Sequence, residues 1–173
     1  MQHSTPALRI LSAIFFFALW ACSAEQASAQ TVKQGKKVDF SQFAASGCDA
    51  SLWNHVYNPK RLQQLAPCIS VSGVITESDA DPDGDQHFLL RLDPGQDELA
   101  NKRNRKKKGG DIVLEIVCAN PTTMKKVKSA CTGYTNPIAI PAVGKHVRAT
   151  GTYVLDSHNG WTEIHPVSGI QVM

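Results

Sequence analysis

Five stretches between residues 69 and 172 alternate apolar and polar side chains with period two, the pattern of strands with one buried face. In the first, Ile69, Val71 and Ile75 alternate with Ser70, Ser72 and Thr76 around Gly73. In the second, Phe88, Leu90 and Leu92 alternate with His87, Arg91 and Asp93. The third sets Ile112, Leu114 and Ile116 against Val113, Glu115 and Val117. The fourth sets Val147, Ala149, Tyr153 and Leu155 against His146, Arg148, Thr150 and Thr152, with Gly151 inside, and the fifth runs from Trp161 to Val172. Two short helices complete the pattern. Asn58-Pro59 offers an N-cap and a first-turn proline ahead of Lys60 to Leu65, with Pro67 as the stop. Asn120-Pro121 opens a second helix over 121–130. The order is a short N-terminal helix followed by β-β-β-α-β-β. It predicts a mainly β domain, a small five-stranded Greek-key barrel of the OB type, with an open α+β sandwich as the alternative. Gly73 and Gly151 suit the sharp bends of such a barrel.

The first residues read differently. Arg9 precedes a twelve-residue apolar run, Ile10 to Ala21, too short to span a bilayer as a mature helix. Ala27-Ser28-Ala29 then fits a cleavage site. Residues 1–29 are therefore expected to be a signal peptide, with a loosely held arm over 30–52 and the OB-like domain over 53–173. Cys22 offers a lipoprotein alternative, against which stands the bulky Trp20. No second apolar run reaches spanning length, so the processed chain is expected to be periplasmic or secreted, with no integral membrane segment. Of five cysteines, four remain after residue 29: Cys48, Cys68, Cys118 and Cys131. Outside the cytoplasm they imply two disulfides in one of three connectivities. Cys48–Cys68 with Cys118–Cys131 is favoured, because each bond closes a local loop around an expected helix. No C-x-x-C pair supports a redox or zinc-thiolate site.

Several short stretches stand out together: Val71-Ser72-Gly73-Val74, Asp83-Gly84-Asp85-Gln86-His87, Gly151-Thr152-Tyr153, and His158-Asn159-Gly160-Trp161-Thr162-Glu163-Ile164-His165-Pro166-Val167. They resemble the signatures of short exported bacterial OB-fold-like proteins with an HxGWxEIHPV-type hairpin near the C-terminus. The resemblance runs from Trp53 to Val172. It implies the fold and the compartment and carries no activity with it.

Asn159-Gly160 between two strand runs is a strong hairpin signal, because a type I′ turn needs positive φ at both central positions. A two-residue loop would set His158 against Trp161, Asp156 against Glu163 and Val154 against His165 on one outward face. Opposed residues then lie about 5 Å apart, and the two histidines roughly 14 Å apart. Three readings compete for that face. It is a solvated hairpin neutralised by basic residues from elsewhere, or a ligand surface with Trp161 as a stacking platform, or a metal or acid–base site using Asp156, Glu163 and one histidine.

Net charge is only +3, but six of the seven residues Lys102-Arg103-Asn104-Arg105-Lys106-Lys107-Lys108 are basic. The tract lies between strands two and three and reads as a disordered, anion-seeking loop, with a merely solvated loop as the bland alternative. Asp79-Ala80-Asp81-Pro82-Asp83-Gly84-Asp85 superficially opens a calcium loop, yet position twelve would be Leu90, so turn chemistry explains it better. His55, beside Trp53 and Tyr57, reads as a packing residue. G-x-S-x-G, P-loop, G-x-G-x-x-G and H-E-x-x-H patterns are all missing. The expected function is an exported OB-like module that binds an anionic ligand, a nucleic acid or an acidic glycan or envelope surface. Asp156, His158, Trp161, Glu163 and His165 would join Lys102, Arg103, Arg105, Lys106, Lys107 and Lys108 as its contacts. No cofactor and no resident metal are expected. Alternatives are a small metal-assisted, nuclease-like hydrolase on the hairpin face, using Asp156, Glu163 and His165, and an envelope accessory protein without a small ligand.

Overall fold

The structure is a computed structural model that describes residues 38–173, so the expected signal peptide, Cys22 and residues 30–37 of the arm lie outside the described residues. The chain is mainly β. Its five strands are β1 (Leu62–Ala80), β2 (Gln86–Leu92), β3 (Ile112–Ile116), β4 (His146–Asp156) and β5 (Thr162–Val172). They form one mixed sheet in the order β1-β2-β3-β5-β4, which closes on itself because the long β1 pairs with both β2 and β4. All ladders are antiparallel except β3 with β5. Ile69, Val71, Ile75, Phe88, Leu90, Ile112, Leu114, Ile116, Val147, Ala149, Tyr153, Ile164 and Val167 fill the interior.

The outer face is also covered near β3, β4 and β5. A 3-10 helix, Ala50–His55, brings Leu52 and Val56 against Leu62, Val117 and Val154, with Trp53 and Tyr134 packed beside them. Cys48–Cys68 and Cys118–Cys131 are both bonded and tie these outer segments down. Two disulfides are compatible with an extracytoplasmic location. Among the described residues no helix is long and apolar enough to cross a membrane. The arm is held from residue 38 onward, since Phe43 is buried and Phe40 meets the Tyr153 ring edge-on at 5.2 Å.

Three local expectations are corrected. The helix expected from Asn58 stops after one 3-10 turn, Pro59–Arg61, and Leu62 onward is strand. Pairing with β4 buries Leu62 and Ala66, and that gain overrides helix propensity. The register slips between Ala66 and Ile69, where Pro67 has no N–H to give. The helix expected over 121–130 shrinks to α2 (Lys128–Cys131). Its would-be first turn gives its donors to the β1–β2 turn instead: Asn120 N–H to Gly84 O, and Thr123 and Met124 N–H to Pro82 O. The basic tract is a helix rather than a loop, α1 (Lys102–Lys107), held by a capping box between Asn101 and Asn104.

Gly73 and Gly151 serve close approach. A Cβ at Gly151 would stand 2.4 Å from Pro166 O and 2.6 Å from Ile164 Cγ2. Gly151→Ala should therefore lower unfolding free energy by about 2 kcal/mol or more in urea titrations with the disulfides intact. A loss below about 0.5 kcal/mol would contradict this packing.

Candidate functional site

The connection between β4 and β5 is longer than a two-residue hairpin. Asp156 N–H donates to Trp161 O at 3.0 Å and Gly160 N–H to Asp156 O at 2.7 Å, leaving Ser157 to Gly160 as the loop. Pairing follows Leu155 with Thr162, Val154 with Glu163 and Tyr153 with Ile164, two residues away from the expected register. Asp156 is the cause. Its Oδ1 accepts His158 N–H at 2.8 Å and Asn159 N–H at 3.3 Å, and its Oδ2 accepts the Asn159 amide at 2.7 Å. This Asx-type turn replaces the type I′ bend, and within the loop only Gly160 takes positive φ. A slip of two keeps the same side chains on one flank. That flank, however, is not water-facing: Asp156 and Glu163 are fully buried and His165 is 2% exposed.

The expected hairpin cluster consequently divides. His158 is exposed on the loop, and Asp156 lies 3.6 Å from Arg61 Nε with its oxygens committed to the turn, so the expected set of Asp156, Glu163 and His165 does not form. Glu163 and His165 instead join residues from β2 and β3. Antiparallel pairing sets His87 opposite Glu115, and the parallel ladder of Val113 with Glu163 carries Glu115 alongside His165. One row across three strands results. His165 Nδ1 stands 3.1 Å from Glu115 Oε2 and 3.2 Å from Glu163 Oε1. His87 Nδ1 stands 3.6 Å from Glu115 Oε1 and 3.7 Å from Asp81 Oδ2. His165 Nε2 is buried without a hydrogen-bond partner, 4.0 Å from Asp85 Oδ2. Trp161 Nε1–H donates to Glu163 Oε2 at 2.9 Å.

The electrostatics follow from burial. Desolvation opposes charge on His165, but Glu115, the Glu163 hydrogen bond and the nearby Asp85 outweigh it and raise its pKa to about 9. Burial also opposes the Glu115 carboxylate, yet His165 and His87 hold it down to about 2. Glu163 moves the other way, raised chiefly by burial. Asp85 is pushed up to about 7 by burial against the pull of His165. His165 and Glu115 are therefore the ion pair of the row.

Beside the row opens a cleft of about 340 Å³, lined by Arg61, Asp81, Pro82, Asp83, His87, Glu115, Met124, Asn159 and Trp161. A second cleft of about 370 Å³ lies beside the Cys48–Cys68 bridge, and its lining, which includes Trp53, Gln64 and Thr152, brings no titratable side chains together. His55 stacks on Tyr134 with ring centroids 3.7 Å apart, a packing role.

Sequence reasoning missed Asp81, Asp85, His87 and Glu115. Two signals were available. Glu115 is the single charge in the run Ile112 to Val117, and the Asp-rich turn supplies Asp81 and Asp85.

The basic residues sit on a fixed support. Asn104 is fully buried, its amide donating to Asp111 O at 3.1 Å and Thr162 O at 2.9 Å while its Oδ1 accepts Thr162 N–H at 2.9 Å. Asn101 Nδ2 donates to Gly160 O at 3.0 Å and Arg103 Nε to Asn159 O at 3.1 Å. Lys108 Nζ lies 4.5 Å over the Trp161 ring. Lys102, Arg103, Arg105, Lys106 and Lys107 are exposed, Lys108 half-buried. The chain matches no family model and no curated protein.

The row makes stability pH-dependent. His165 is raised from 6.5 to about 9 by folding, so its contribution is complete below pH 6.5 and lost as pH rises through 9. Asp85, also raised, adds a loss of the same sign between 3.8 and about 7. Urea unfolding in EDTA should show a drop of roughly 3 kcal/mol between pH 6.5 and pH 9. Most of the drop should be lost in His165→Gln, leaving the contribution of His87, whose pKa is also raised because its contact with Glu115 outweighs burial; an unchanged profile in that variant would refute the assignment.

Proposed function

We propose that this chain is an exported OB-like module, periplasmic or secreted, that binds a polyanion along α1 and past Trp161, with a nucleic-acid strand as the favoured ligand. The strand order β1-β2-β3-β5-β4, with β3 and β5 parallel, supports the OB reading, since it matches the five-stranded Greek-key arrangement of that fold. In OB-folds the β1–β2 and β4–β5 loops and the strand 2–3 face commonly take the ligand. Here those loops contribute Asp81, Pro82, Asp83 and Asn159 to the lining of the cleft, together with Trp161.

One observation carries the reading. Five of the six cations of 102–108 are on a capped helix anchored through buried Asn104, with Lys108 at its C-cap, and no acidic residue lies in its first turn. A flexible basic loop must lose conformational freedom when it meets an anion, whereas a helix fixed against β5 has lost it on folding. Lys108 over Trp161 joins the row of charge to an aromatic surface, the combination that tracks single strands.

Binding of a short single-stranded DNA, followed by fluorescence anisotropy, should weaken steeply between about 50 and 200 mM salt. Replacing the six Lys and Arg residues of 102–108 by Gln should cost roughly tenfold or more at low salt and flatten the salt dependence. Asn104→Ala, which keeps every charge but frees the helix, should weaken binding roughly threefold to tenfold. Equal affinity after neutralisation would overturn polyanion binding by α1. Tighter capture of a sulfated glycan than of DNA would overturn the choice of nucleic acid.

A further inference from the structure

We propose that Asp85, Glu115 and His165 hold one divalent transition-metal cation, with His165 ligating through Nε2. These residues are 3%, 5% and 2% exposed, and one ligand atom from each lies within 4.8 Å of those of the other two. They come from the turn before β2, from β3 and from β5, so the closed sheet holds them whether or not an ion is bound.

The pointer to a ligand is the orphaned nitrogen. A buried imidazole nitrogen without a partner costs free energy that proteins seldom leave uncompensated. His165 Nε2 is in that position, and it faces Asp85 Oδ2 across 4.0 Å. Two groups separated by that distance can stand on either side of a metal bound at about 2.0–2.2 Å from each. Asp85 is already oriented for it, since Cys118 N–H occupies its other oxygen at 2.8 Å.

The far side of the ring is arranged as a metal-bound histidine needs. Trp161 Nε1–H holds Glu163 Oε2 at 2.9 Å, and Glu163 Oε1 lies 3.2 Å from His165 Nδ1. A carboxylate that accepts Nδ1–H fixes the tautomer with the Nε2 lone pair turned outward, and the support chain Trp161–Glu163–His165 does this for Asp85's side of the ring. Before an ion binds, Glu115 Oε2 also lies 3.1 Å from Nδ1; a neutral imidazole has only one Nδ1–H to give, Glu163 takes it, and Glu115 is freed to turn toward the ion.

Charge balance points the same way. Asp85, Glu115 and Glu163 surround one imidazole, and even with His87 beside Glu115 at 3.6 Å two imidazoliums at most would meet three buried carboxylates. A dication with a neutral imidazole removes most of that deficit, and binding releases the Nε2 proton. One nitrogen and two carboxylates suit zinc or manganese better than calcium or magnesium, which favour all-oxygen shells. Glu115 also lines the cleft, so the ion would sit behind its inner wall with a route to solvent.

The test uses the exported chain with both disulfides intact, stripped with EDTA and titrated with zinc and, separately, manganese. Metal content after gel filtration should reach about one ion per chain, with a raised thermal midpoint. Asp85→Asn, nearly isosteric, should lower affinity at least a hundredfold, and Glu163→Gln roughly tenfold to a hundredfold. His158→Ala, on the exposed loop, should bind as the parent does. In the unaltered chain, zinc should move the His165 Nε2 nitrogen resonance strongly, a reading that needs no variant to fold. A chain that retains no stoichiometric metal overturns the proposal. So does zinc uptake that leaves the His165 nitrogens unmoved or is undiminished in Asp85→Asn.

Discussion

A sheet that closes on itself has an inside for its apolar side chains, and its outside ordinarily faces water. Around β2, β3 and β5 the outside is covered as well, and next to the apolar cluster of Val117 and Val154 it carries His87, Glu115, Glu163 and His165. Burying those charges is tolerable only when each finds a partner. The imidazole of His165 supplies it, with Nδ1 within 3.2 Å of both Glu115 and Glu163. The surrounding architecture answers to this one contact. The β3–β5 ladder must be parallel and in register for Glu115 and His165 to stand side by side, and the Asp-rich turn must fold back so that Cys118 N–H and Asp85 meet.

The chain next to this row, which reaches Asp85 through Cys118 N–H and the cleft through Met124, is weakly structured. Residues 118–136 hold little helix, and the Cys118–Cys131 bond together with backbone hydrogen bonds to the β1–β2 turn keeps them in place. On the neighbouring side α1 is joined to β5 through Asn104 and to the β4–β5 loop through Asn101 and Arg103. Trp161 connects the two halves of the surface, since its ring lies under Lys108 while its indole N–H reaches buried Glu163. A ligand that moved Lys108 or Trp161 would thus disturb the same hydrogen bond that orients His165.

Much of this was legible in the sequence, for a physical reason. Each of the five strands shows as alternation because one face of every strand meets the same apolar interior, and both disulfides close short loops. The parity of the last hairpin was legible too, since a register error of two residues leaves the same side chains on one flank. Exposure was not. Nothing local to Asp156, Glu163 or His165 announces that Arg61 reaches the first or that Asp85, Glu115 and Trp161 close around the other two. Asn58-Pro59 and Asn120-Pro121 carry helix-start chemistry, but long-range pairing claimed the backbone groups those helices needed. In the basic tract, like charges argued for disorder, while Asn101 and Asn104, which build the cap, look unremarkable until Thr162 and Gly160 are brought beside them.

The most direct test reads the state of the buried ring itself. In EDTA at neutral pH, nitrogen NMR of the histidine side chains should show His165 with both nitrogens protonated, slow to exchange, and titrating near 9. A neutral His165 at pH 7 that titrates in the ordinary range near 6.5 and exchanges freely with solvent would contradict the account, because it would put the row back in water.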